Sequence, residues 1–117
     1  MPRVQIPVQT ILRAGVSPAV QVTADATNDH YIADNDGRIF LEVISTDGAT
    51  QAVTVITPVV EDGLQLEDLV FYVPPSGTRY SGPYAIATFN QTAVGEENKV
   101  YIDPAVSTTL TFRAYKV

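Results

Sequence analysis

Cysteine is absent from this chain of 117 residues, which excludes disulfides and thiolate-held metals. That suits a reducing cytoplasm, without ruling out secretion. Tryptophan is absent too, and histidine occurs once, at His30. A histidine metal centre needs more than one imidazole, and no Gly-x-Ser-x-Gly elbow supplies a nucleophile for this one. Neither a Gly-x-Gly-x-x-Gly fingerprint nor a phosphate loop is present. Bases are scarce, seven against thirteen acids, and the net charge of −6 argues against nucleic acid as a partner. Uninterrupted apolar runs stay far short of the ~20 residues that a membrane helix needs. The start does not read as a cleaved leader, because Pro7 and alternating polar residues follow Met1-Pro2-Arg3. The expectation is a non-enzymatic chain with no catalytic, cofactor or metal residues and no nucleic-acid or membrane partner.

What the chain does have is alternation. Ile39, Leu41 and Val43 share one face of a strand, with Phe40, Glu42 and Ile44 on the other. Thr46-Asp47-Gly48-Ala49 then offers a turn, and Val53 and Val55 alternate with Ala52, Thr54 and Ile56. An Asp-Gly between β-branched runs predicts one long hairpin over 34–57. Further strands are expected at Val70–Val73, Thr78–Ser81, Tyr84–Phe89, Lys99–Asp103 and Thr108–Tyr115, the last with Leu110, Phe112 and Ala114 inward. Leu64, Leu66 and Leu69 suit one helical turn. Residues 23–37 read as a loop, with His30-Tyr31-Ile32 a short strand or a plug. Seven or eight short antiparallel strands, with turn signals every eight to twelve residues, predict an all-β, jelly-roll-like β-sandwich.

Two regions bear on binding. Residues 1–24 contain Pro2, Pro7 and Pro18, with Val4, Ile6 and Val8 alternating and Ile11-Leu12 beyond them. Proline removes a backbone donor and holds its predecessor extended, so this stretch reads as an extended arm or an edge strand. A sandwich domain over 25–117 follows it. An arm can add a strand to a neighbour's sheet, and removing residues 2–14 would then leave a folded domain. Charge is the second feature. All thirteen acids lie between Asp25 and Asp103, where only Arg38, Arg79 and Lys99 oppose them, a net charge of −10. The ends carry only bases: Arg3 and Arg13 at one, Arg113 and Lys116 at the other.

Among candidate sites, Asp25, Asp29, Asp34 and Asp36 make an oxygen-rich loop of the kind that can bind calcium, but they read first as turn caps in a solvated loop. EF-hand spacing fails, since Gly37 as the turn glycine puts Ile32 at the first ligand position and Val43 at the last. Glu42, set among apolar neighbours, calls for a partner such as Arg38, Arg79 or Arg113. The tyrosines on strands (Tyr72, Tyr80, Tyr84, Tyr101, Tyr115) suit an interface or a sugar surface.

The runs Asn35-Asp36-Gly37-Arg38-Ile39-Phe40-Leu41-Glu42-Val43 and Thr46-Asp47-Gly48, Val53-Thr54-Val55 with Thr57-Pro58, Gly82-Pro83-Tyr84, Phe89-Asn90 and Leu110-Thr111-Phe112-Arg113-Ala114-Tyr115 resemble small structural proteins of tailed-bacteriophage virions. The resemblance implies a capsid decoration (cement) protein on the virion surface, assembled in the host cytoplasm, with the major capsid protein as partner and a homo-oligomer, a trimer favoured. Head–tail or tail components, or a carbohydrate-binding host-attachment module, are the alternatives. Partner-binding residues are expected in the arm (Arg3, Val4, Ile6, Val8, Ile11, Arg13) and at the other end (Arg113, Tyr115, Lys116).

Overall fold

Period-two burial builds the two strands at the centre of the molecule. β5 (Ile39–Ser45) buries Ile39, Leu41, Val43 and Ser45, and β12 (Leu110–Lys116) buries Leu110, Phe112 and Ala114. They pair along their whole length, Leu110 opposite Ser45 and Lys116 opposite Ile39. The computed structural model describes residues 2–117. The remaining elements are β1 (Val4–Gln5), β2 (Val8–Thr10), β3 (Val22–Thr23), β4 (His30–Ile32), β6 (Gln51–Val55), β7 (Val60–Glu61), β8 (Leu64–Gln65), β9 (Leu69–Val73), β10 (Thr78–Ser81), α1 (Ile86–Phe89) and β11 (Val100–Pro104).

The sheets form a jelly roll. One has the order β4-β11-β6-β9 and the other β3-β12-β5-β10, with every pairing antiparallel. Every link among these eight strands except β6 to β9 passes from one sheet to the other. The inner faces meet in one core of Ile32, Leu41, Val43, Val53, Val55, Val100, Ile102, Leu110 and Phe112.

Residues 2–24 add to both sheets of the same chain. β1 lies parallel to β4, and β2 lies parallel to β12 on the edge that β3 shares. Ile6 sits between the two sheets and is fully buried.

The structure corrects three local expectations. The segment 34–57 is not a hairpin: β5 and β6 belong to different sheets, and 46–50 is an arch between them. The arch is held by distant loops. Thr46 N–H donates to the Thr109 carbonyl, Thr109 O–H to Asp47 Oδ2, and Ser76 N–H to the Asp47 carbonyl. The Asp-Gly that does turn a hairpin is Asp62-Gly63 between β7 and β8, both with positive φ (50° and 80°), as a type I′ turn demands. That hairpin replaces the helical turn expected of Leu64 and Leu66. Residues 84–89 are not a strand: Tyr84 turns into the core, and α1 is a single helical turn that carries the chain on to buried Asn90. Within 23–37, His30-Tyr31-Ile32 is a short strand, β4, the first of the two forms expected of it, paired on both sides by β1 and β11.

Candidate functional site

The polar residues of this chain mostly bind one another. His30 is fully buried on β4, its ring 5.1 Å from Phe112 and edge-on to it. Nε2 accepts the Asp25 N–H at 2.9 Å, so Nδ1 carries the proton, facing the Val4 carbonyl at 3.2 Å. Both nitrogens are therefore occupied by backbone, and the neutral ring ties β1 to β4. Burial holds its pKa below the ordinary 6.5, with the Val4 carbonyl, Asp25 and Asp103 opposing and Arg3 assisting. As pH falls, the unfolded chain thus takes up a proton before the folded one does. Stability should be intact above about pH 6.5 and decline below it, down to the folded-state pKa. Urea denaturation at pH 7.5 and 5.5 checks this: the decline should be larger in the native chain than in His30→Gln, and equal declines would refute it.

Nor do the acids of 25–36 converge. Asp25 accepts the N–H groups of Thr27 and Asn28 and the Asn28 side-chain amide. Asp36 pairs with Lys116 at 2.8 Å and Arg38 at 3.0 Å, which lower its pKa to about 2. Among the described residues no group of three or more His, Asp or Glu is placed to hold a metal ion. Glu42 does find Arg113, at 3.5 Å, and also accepts the Tyr80 hydroxyl at 2.7 Å. Asn35 and Asn90 bond each other and the Tyr84 carbonyl inside the core, joining the 33–38 and 82–99 connections.

The outer face of the β4-containing sheet carries a packed row. The Arg3 guanidinium lies 3.9 Å from the Tyr101 ring centre and pairs with Asp103 at 2.5 Å. Lys99 lies 4.5 Å from the Tyr31 ring centre and pairs with Glu96, which also accepts the Tyr101 hydroxyl. Burial, then Glu96, pushes Tyr101 up to about 12. The opposite outer face stacks Phe40 on Tyr115, with Tyr80 beside them.

The nine residues expected to bind a partner therefore separate. Ile6 is in the core and Val8 packs against it. Arg3, Arg113 and Lys116 are engaged by Asp103, Glu42 and Asp36 within the same molecule. Tyr115 stacks on Phe40 and accepts the Ala19 N–H. Val4 is partly exposed on the edge strand β1. Ile11 and Arg13 are exposed on the excursion between β2 and β3. Leu12 (57% exposed), Val16 and Val20 (65% exposed) stand out beside them. These three are not among the expected contact residues; their signal is apolar side chains on a proline- and glycine-containing loop.

The acids are concentrated at one end of the jelly roll. The connections 33–38, 56–68 and 82–99 hold Asp34, Asp36, Glu61, Asp62, Glu67, Asp68, Glu96 and Glu97. There, grooves of about 770 and 570 Å³ lie around the β7–β8 hairpin, the larger also reaching Phe89 and the smaller Ile86.

No family model matches the chain, no curated protein matches it, and no solved structure matches its fold.

Proposed function

We propose that this chain is a non-enzymatic virion structural protein that seats on a capsid surface and stabilises the head, as a decoration protein does. The observation that carries the reading is the excursion 11–20. Its root strands are bonded into the sheets, yet it holds Ile11, Leu12, Val16 and Val20 out to solvent around Arg13, which has no ion pair among the described residues. A firmly rooted apolar loop loses little conformational freedom on docking, which favours binding. The jelly roll is also an architecture used in viral capsids, although a fold alone assigns no function. A protein bound across capsomer boundaries stabilises the particle by the free energy of that binding.

The test is gradient sedimentation with particles assembled from the capsid protein encoded in the same genome. The native chain should travel with the particles at a fixed ratio per capsid subunit. The double variant Ile11→Asp, Leu12→Asp should melt like the native chain and stay at the top. Native protein left at the top, or a variant that binds at full ratio, overturns the reading.

One observation favours a second reading, a carbohydrate-binding module: the Tyr80-Phe40-Tyr115 row, which borders an apolar notch of about 290 Å³ lined by Gly37, Arg38, Phe40, Pro83 and Val117. A rise in melting temperature with simple sugars would support it over the first.

A further inference from the structure

Sheet edges are normally protected against pairing with other chains, by charge, proline or shortness. Of the four edges of the two large sheets, three are. β1 has two residues between Arg3 and Pro7; β2 and β3 together hold only five residues, with Pro7 and Pro18 close by; β10 carries Arg79. β9 is different. It is Leu-Val-Phe-Tyr-Val, uninterrupted by charge, glycine or proline, and it pairs only with β6. Val73 lies in the core and Phe71 packs against it, Leu69 on the same face is 40% exposed at the start of the strand, and Val70 (43% exposed) and Tyr72 (62% exposed) point outward.

We infer that the β9 edge pairs with β9 of a second copy of this chain, antiparallel about a twofold axis at Phe71. The occupant follows from the register. Centring on Phe71 pairs all five residues, and sets each Tyr72 opposite the partner copy's Val70, an aromatic against a β-branched residue, as cross-strand pairs favour. On the inner face each half-exposed Leu69 falls opposite the partner copy's Val73, so the contact would cover apolar surface that the monomer leaves open. The charges also fit. The acids beside the strand, Asp68 and Glu67, fall opposite Pro74 and Pro75, so no acid faces an acid even though each chain carries −6. Such a contact is self-complementary, as a twofold interface must be. It is independent of the capsid reading, and differs from the threefold association that the phage resemblance implies.

The test uses the full chain in sedimentation velocity over a range of concentrations. The native protein should move from monomer to dimer as concentration rises. Val70→Lys with Tyr72→Lys places lysine opposite lysine twice, and should stay monomeric at every concentration that dimerises the native chain. Val70→Lys with Tyr72→Glu places lysine opposite glutamate in this register alone, and should restore the dimer. Both side chains point to solvent, so all three proteins should show the same circular dichroism and melt cooperatively. A native chain that remains monomeric at several hundred micromolar, one that forms trimers, or a double-lysine variant that still dimerises overturns the proposal. So does a Lys/Glu variant that stays monomeric while folded.

Discussion

Removing residues 2–14 is expected to abolish cooperative folding. Ile6 is fully buried between the sheets, and truncating such a side chain costs about 2–5 kcal/mol. The deletion goes further. It strips β1 from β4 and β2 from β12, and leaves His30 Nδ1–H without the Val4 carbonyl inside the core. An unpaired buried donor costs about 1–3 kcal/mol more. Loss of the Arg3–Asp103 pair adds little, because both groups are partly solvated. A domain of this size has only about 5–15 kcal/mol in all. Circular dichroism melts of the truncated chain should therefore show no sharp transition, or one far below that of the native protein. Ile6→Ala should fold but melt about 10–20 °C lower. A truncated chain that melts within a few degrees of the native one would mean that the first fourteen residues are a dispensable arm, as the prolines suggest when the sequence is read alone.

Phe112→Ala is expected to cost about 3–5 kcal/mol, among the largest effects open to one substitution here. Phe112 is fully buried on β12 and meets His30 of the opposite sheet edge-on. The vacated space borders an imidazole whose pKa burial holds down. Removing the ring takes apolar cover from the imidazole, and water admitted at its edge would relieve the desolvation. The His30 pKa should consequently rise toward 6.5 in the variant, as followed by the imidazole proton shifts during an NMR pH titration. Phe112→Leu keeps most of the volume and should lie between the two. An unchanged His30 pKa beside a large loss of stability would show that the cavity collapses instead of hydrating.

The faces of the strands were legible in the sequence. Ile39, Leu41, Val43, Val53, Val55, Leu110, Phe112 and Ala114 are all buried, as their alternation requires. Alternation says which way side chains point, and nothing about which strand lies alongside. That is why β5 and β6 read as a hairpin: the bonds that make 46–50 an arch come from Ser76 and Thr109, far along the chain. β4 was legible as a short strand or a plug, but not as an interior strand, because a histidine reads as polar until the Val4 carbonyl and the Asp25 N–H are brought to it from two other segments. The basic ends were visible as charge, and Glu42 was matched to Arg113 among three candidates, but the partners Asp103 and Asp36 were not visible, since each pair joins residues distant in sequence. At β9 the sequence shows five residues free of charge, glycine and proline, but that the strand lies at an edge is visible only in the fold.

The pairing of β2 with Ala114, Tyr115 and Lys116 has a consequence for biosynthesis. β2 is synthesised long before the strand it pairs with. Until β12 is made, Ile6 lacks part of its eventual cover and the jelly roll cannot close. Nascent chains stalled before codon 110 should remain sensitive to protease throughout, and native protein should appear only once residues 110–116 have left the ribosome.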